Sequence, residues 1–205
     1  PDIIISPFDR EESISIALVG VYLRIPIAHL GAGDKTEYNL DGIIRHSVTK
    51  LSNFSFCFTK QNSERVKKMG EEKSRVFTVG HTAVERYKKA NKISLSNLSK
   101  FLRLDLKKEN HMILFIQHPV SNWLDKTKEH IKTSFRAIDE LNLPTIIIRS
   151  NSDPGTLIIQ KEFQNFKFKN KKVRFYENIE ENLFINIVKN ASVLLGNSSM
   201  GVLEA

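Results

Sequence analysis

The strongest constraint in this sequence is an alternation: short β-branched runs, each followed by a stretch whose apolar residues recur with the period of a helix. Residues 3–6 read as a strand, after which Ile14, Ala17, Leu18 and Val21 fall at i, i+3, i+4 and i+7. Residues 25–30 form the next strand, Leu40, Ile43, Ile44, Val48 and Leu51 mark the next helical face, and residues 54–59 return to strand. A short helix over 61–69 closed by Gly70, a strand over 75–79 and a helix over 83–90 complete a first block. Residues 91–110 then turn polar, with Leu98, Leu102 and Leu104 as the only sustained apolar signal, so this stretch reads as an interdomain connection. The alternation restarts with strands over 112–116, 145–148, 173–176 and 193–195. Between them lie a helix marked by Ile131, Phe135, Ile138 and Leu141 and helices over 156–163 and 183–188. Continuous apolar strands separated by helices require a parallel sheet covered on both faces. The fold class is therefore α/β, with two doubly wound, Rossmann-like domains expected over residues 1–95 and 96–205, both incomplete.

That architecture selects where function can sit, because ligands of open α/β sheets bind outside the carboxyl ends of the strands. The loops in question are 6–11 and 29–34 in the first block, and 117–119, 149–155 and 196–201 in the second. Gly196-Asn197-Ser198-Ser199 aims backbone N–H groups and hydroxyls at one point at the start of a helix, where phosphate is favoured. The same residues serve equally as an ordinary helix cap. The stretch is neither a P-loop nor a G-x-G-x-x-G fingerprint. His118, between a strand and Pro119, is placed either to meet a phosphate or exchange a proton, or merely to bond a backbone carbonyl. His29 holds the same strand-end position, while His46, His81, His111 and His130 read as structural or exposed. Asp9-Arg10 and Asp41…Arg45 stand at spacings that suit local ion pairs, or a carboxylate kept ionised as a base beside an Arg.

Composition narrows the partners. Lys and Arg total 31 against 23 Asp and Glu, a net charge of +8, yet the lysines are scattered over helix faces. The densest run, over 161–172, carries no groove-reading or RNA-binding motif, and its Phe163, Phe166 and Phe168 read as core, so no nucleic-acid partner is expected. The longest apolar stretch, 14–23, falls short of the ~18 residues of a spanning helix, so no membrane is expected either. The single cysteine, Cys57, excludes an internal disulfide and a Cys-rich zinc site and fits the cytoplasm. Opening on Pro1-Asp2 without a targeting segment and stopping at Ala205 inside a new helical pattern, the sequence is expected to be the central part of a longer protein.

Six loops taken together resemble the UDP-N-acetylglucosamine 2-epimerase family. Pro1-Asp2-Ile3-Ile4-Ile5…Asp9-Arg10 is similar to its run leading into a G-D-R turn. Ile25-Pro26-Ile27-Ala28-His29-Leu30…Gly33-Asp34 and Asp41…Ile44-Arg45-His46…Thr49-Lys50-Leu51-Ser52 follow in family order. Gln117-His118-Pro119-Val120, Asn151…Asp153-Pro154-Gly155 and Gly196-Asn197-Ser198-Ser199…Gly201-Val202…Glu204 complete the set. The resemblance implies a glycosyltransferase-B-like pair of domains with a UDP-sugar between them. It implies Ser198 and Ser199 at the diphosphate, Glu204 at the ribose, and Asn151 and Asp153 among the substrate-binding residues. His118 would act near the phosphates, and Arg10 would neutralise charge from the first domain. Asp9 and Asp41 match the acid/base carboxylates that the family uses to eliminate UDP across C1–C2 of the sugar. Gln117-His118-Pro119 and Asn197-Ser198-Ser199 resemble the hydrolysing branch, whose non-hydrolysing relatives have Gly-His-Arg and Ser-Gly-Gly there.

Three positions depart from the family pattern. Gly31 stands where many members have Glu, Gly42 replaces a second acidic residue after Asp41, and Phe8 replaces the Gly before the catalytic Asp. Asp34 is the carboxylate that can substitute nearby. The expectation is a hydrolysing UDP-HexNAc 2-epimerase that needs no metal or cofactor, acts on a UDP-sugar and assembles as a homo-oligomer. A UDP-sugar glycosyltransferase of the same fold and a non-catalytic nucleotide-sugar-binding module are the alternatives.

Overall fold

A computed structural model describes residues 1–35, 40–150 and 154–203. The chain divides into two compact units, Pro1–Val84 and Glu85–Ala205.

In the first unit the chain runs through β1 (Ile4–Pro7), α1 (Glu11–Leu23), β2 (Ile27–Leu30), α2 (Asp41–Leu51), β3 (Phe54–Cys57), α3 (Lys60–Lys68) and β4 (Val76–Thr78), and into α4 (Thr82–Lys89). The four strands pair in parallel in the order β1-β2-β3-β4, and the register sets Ser6 opposite His29 and His29 opposite Ser55. Ile4, Ala17, Ile27 and Val48 form a buried cluster joining β1, α1, β2 and α2, the outcome of the helical and strand periods meeting on one face. Thr59 caps α3 by accepting from the Asn62 N–H at 3.1 Å.

The second unit continues with α5 (Leu95–Leu102), β5 (Ile113–Ile116), α6 (Thr127–Leu141), β6 (Thr145–Ile148), α7 (Thr156–Asn165), β7 (Val173–Tyr176), α8 (Glu181–Asn190), β8 (Val193–Gly196) and α9 (Met200–Leu203). Its parallel sheet has the order β7-β6-β5-β8, so the winding reverses between β5 and β8. Period-2 alternation then splits the core. Leu114, Ile116 and Ile146 join Leu98, Leu102 and Ile187 in one cluster, while Phe115 and Ile147 join Ile131, Phe135, Ile138 and Ile159 in another. Phe163, Phe166 and Phe168 pack on the second cluster, with Phe166 and Phe168 ring centroids 5.4 and 5.3 Å from Phe135, which is the core use expected of them.

Two sequence expectations change here. Residues 91–110 are not merely a connection: Ser94 caps α5, accepting from the Asn97 N–H at 3.3 Å, and Leu98 and Leu102, one turn apart, are fully buried. The division between units falls after Val84 instead of after residue 95, because the intervening segment is bonded into the second unit. The Ile93 N–H donates to Asn186 Oδ1 at 2.9 Å, Asn186 Nδ2 donates to the Asn91 carbonyl at 2.9 Å, and Lys189 Nζ donates to the Tyr87 carbonyl at 2.7 Å. Among the described residues, no helix is long and apolar enough to cross a membrane.

Candidate functional site

The carboxyl end of β1 delivers Asp9. Its side chain is 15% exposed and is paired with Nη2 of Arg45, whose side chain is 8% exposed and comes from α2, 36 residues further on. Burial, the largest influence, pushes the Asp9 carboxyl above its ordinary value of 3.8, and the Asp41 charge pushes the same way. Arg45, the Asp9 backbone and Arg10 pull it back without reversing the shift. A mostly buried carboxyl with a raised pKa is a better proton acceptor than an ordinary surface aspartate. Arg45 keeps two further nitrogens, Nε and Nη1, buried without a hydrogen-bond partner among the described residues.

Phe8, immediately before Asp9, has φ +59. A left-handed conformation costs a side-chain-bearing residue about 1–2 kcal/mol, so something must hold it there. The Phe8 N–H donates to the Leu30 carbonyl at 2.8 Å, and the Phe8 carbonyl lies 2.8 Å from Nε2 of His29. His29 is fully buried, and its Nδ1 lies 3.0 Å from Thr49 Oγ1 on α2. Burial lowers its pKa to about 4 against the pull of the Phe8 carbonyl, so the ring is neutral near pH 7. A carbonyl only accepts, which assigns the hydrogen to Nε2 and leaves Nδ1 an acceptor that shares the single Thr49 hydroxyl proton with the Arg45 carbonyl, 2.9 Å from that hydroxyl.

The loop after β2 is pinned by the Gly31 N–H donating to the Phe56 carbonyl at 2.9 Å and by Arg65 donating to the Gly33 carbonyl. Gly31 sits at φ +86, and a Cβ there would stand 3.2 Å from the rings of Phe58 and Phe8. Asp34 closes this loop by accepting from the Lys35 N–H at 2.9 Å. Arg10 lies 3.7 and 3.9 Å from Glu11 and Glu12 at the start of α1, and Asp41 is the first residue of α2.

In the second unit the reversal between β5 and β8 opens the crevice where ligands of such sheets bind, and both strands end there in candidate residues. His118 follows β5 and Asn197 follows β8. The His118 N–H donates to Asn197 Oδ1 at 2.7 Å, and Asn197 Nδ2 donates to the His118 carbonyl at 3.0 Å. Asn197 therefore clamps the backbone of His118 from both sides. The clamp depends on Gly196, at φ +135, where a Cβ would stand 1.8 Å from the Ile116 carbonyl oxygen. Gln117 is fixed by accepting from the Ser134 hydroxyl at 2.7 Å. Ser198 and Ser199 lead into α9, their carbonyls accepting from the Gly201 and Val202 N–H groups at 3.2 and 3.0 Å.

The residues singled out in the sequence thus fall into two groups. Asp9, Arg10 and Asp41 interact electrostatically in the first unit, and His118, Ser198 and Ser199 gather at the second unit's crevice. Asn151, Asp153 and Glu204 lie outside the described residues. The sequence reading missed the Arg45 partnership of Asp9, having considered Arg45 only with Asp41, and it gave His29 no task. The signal available was Thr49 and Arg45 at i, i+4 on α2, a spacing that places both on one face. Among the described residues, no group of three or more His, Cys, Asp and Glu side chains is arranged to hold a metal ion.

A family model described as UDP-N-acetylglucosamine 2-epimerase matches residues 1–205. A Campylobacter jejuni protein named GDP/UDP-N,N'-diacetylbacillosamine 2-epimerase (hydrolyzing) is 33% identical over 207 residues, covering 100% of this chain and 53% of its own length. A Legionella pneumophila protein named UDP-N,N'-diacetylbacillosamine 2-epimerase (hydrolyzing) is 29% identical over 208 residues, covering 100% and 53%. Among solved structures, the S. aureus MnaA–UDP co-structure superposes with a TM-score of 0.79 at 22% identity, covering 100% of this chain and 54% of that one. The Methanocaldococcus jannaschii UDP-GlcNAc 2-epimerase in complex with UDP-GlcNAc and UDP superposes at 0.75 and 23%, covering 97% and 56%. The chain spans about half the length of the curated relatives it matches.

Proposed function

The chain belongs to the UDP-N-acetylglucosamine 2-epimerase family, and from that premise we propose that the protein it comes from is a hydrolysing 2-epimerase of a UDP-linked 2-acetamido sugar. The observation that carries the reading is Asp9, a mostly buried carboxyl at a strand end, raised in pKa and anchored by Arg45. Asp9 takes the proton from C2 of the sugar. The C2–H electrons form the C1=C2 double bond, and the C1–O electron pair leaves with UDP, giving a 2-acetamidoglucal. Negative charge grows on the departing phosphate oxygen, so donors from the loop around Asn197, Ser198 and Ser199, with His118 and Arg10, stabilise what develops in the transition state. Water then adds its oxygen to C1 and a proton reaches C2 from the opposite face, with Asp41 as the second carboxylate. The products are UDP and a sugar of the N-acetylmannosamine type.

The two relatives named for diacetylbacillosamine support a UDP-diacetamido sugar as the preferred substrate within this class. The test is incubation of the full-length protein in D2O with UDP-GlcNAc or UDP-N,N'-diacetylbacillosamine, without an acceptor, following UDP release and the sugar by NMR. Free 2-epimer carrying deuterium at C2 is the expected product, and Asp9→Asn should abolish it while sparing UDP binding. Binding without turnover, or sugar transfer only when an acceptor is added, overturns the proposal.

A further inference from the structure

Resting on that reading, we infer that His29 is a positioning residue for Asp9: one buried imidazole, bonded to the Phe8 carbonyl and to Thr49, ties together the two segments that carry Asp9 and Arg45. The Phe8 carbonyl belongs to the peptide unit that leads directly into Asp9. Thr49 stands one helical turn after Arg45, its hydroxyl 2.9 Å from the Arg45 carbonyl. Both members of the carboxylate–guanidinium pair are therefore referenced to the same ring. The ring is fully buried, so it meets no substrate and acts only through these backbone and hydroxyl contacts.

The tie has a specific burden. Phe8 is held at φ +59, a conformation that glycine takes freely and phenylalanine does not. Without an acceptor-facing Nε2–H, the peptide between Phe8 and Asp9 is free to turn, and the Asp9 carboxyl leaves the position set by Arg45. A displacement of about 1 Å at a reacting group is enough to cost roughly 100-fold in rate.

The experiment uses the full-length protein with kcat, KM, UDP affinity and hydrogen exchange of the peptide spanning residues 8–10. His29→Ala is expected to lower kcat about 100-fold with KM and UDP affinity unchanged, and His29→Gln, which keeps a donor toward Phe8, to restore most of it. Thr49→Val, which frees the other side of the ring without emptying the core, should give a smaller loss of the same kind. Adding Phe8→Gly to His29→Ala should recover about tenfold, since glycine needs no tie to hold a positive φ. A merely structural histidine predicts none of that recovery. Wild-type kcat in a folded His29→Ala or Thr49→Val variant, a loss confined to KM, or failure of Phe8→Gly to rescue overturns the inference. Should the wild-type protein show no epimerase turnover, the proposed function fails, and the positioning role is decided by exchange alone. Faster exchange at residues 8–10 in Thr49→Val and His29→Ala, with β3 amides unchanged, upholds it, and unchanged exchange overturns it.

Discussion

Replacing Asp9 by Asn, Arg45 by Met, and both together isolates the energy with which the carboxylate and the guanidinium hold each other. The single Arg45→Met change mixes opposed effects. It strands a carboxyl that is only 15% exposed, for which losing a buried partner typically costs about 3–5 kcal/mol. It also removes Nε and Nη1, buried without partners among the described residues, each a burden of about 1–3 kcal/mol. The cycle cancels the second effect, because those nitrogens are present or absent on both of its sides. With side chains exposed by 8% and 15%, solvent screening is slight, and the coupling should be about 3 kcal/mol at pH 7. As pH falls through the raised Asp9 pKa the carboxyl protonates, and the coupling should decline toward zero, because a protonated Asp and the reference Asn both offer the still-charged guanidinium a neutral oxygen acceptor. The linkage has a definite sign. Folding raises the Asp9 pKa above 3.8, so this group's contribution to stability is fully present below that value and is lost as pH rises through the folded pKa. Arg45 is the largest downward pull on that pKa, so Arg45→Met widens the window over which stability falls. Opening free energies of β2 and β3 amides, from hydrogen exchange of the full-length variants, report the first unit separately from the second. A coupling below about 1 kcal/mol at pH 7, the range of a surface pair, or one indifferent to pH, would refute the reasoning.

Three further outcomes follow from the second unit. Leu98→Ala should cost about 2–5 kcal/mol of β5 amide protection, since Leu98 is fully buried in the main cluster. A negligible cost would return residues 91–110 to the standing of a linker. Gly196→Ala would drive a Cβ to 1.8 Å from the Ile116 carbonyl oxygen and should destabilise the unit by more than about 3 kcal/mol, read as a lowered melting temperature. Asn197→Ala deletes both bonds to the His118 backbone and should lower kcat at least about tenfold while changing stability by no more than about 1 kcal/mol. An unaltered kcat would show that the clamp is not needed for the chemistry.

The element order was legible because β-branched runs and helical stripes are local signals, and each strand lies within a few residues of its expected place. The helix over Leu95–Leu102 escaped notice because Ser94, Ser96, Asn97, Ser99 and Lys100 make the stretch look like a loop. Its two decisive leucines declare themselves only against the sheet. The candidate site divides the same way. Asp9, Asp41, His118 and the Ser198-Ser199 loop were legible from strand ends and from motif order. Their partners were not, because pairing Asp9 with Arg45 needs β1 beside the first turns of α2, a property of strand order and not of spacing. Asn197 illustrates the limit: a helix-cap residue by position in the sequence, it spends both ends of its amide on His118, 79 residues away.

The crowding around Gly31 bears on which side chains this loop can accept. Rings from Phe8 and Phe58 already stand 3.2 Å from the missing Cβ, on a backbone at φ +86 that resists side chains in any case. An acidic residue placed there has to push those rings back by a few tenths of an ångström and also hold the positive φ, so it is strained in this setting. The loop is thus shaped around its glycine, and a second carboxylate for this region is supplied with less strain from a neighbouring position such as Asp34 or Asp41.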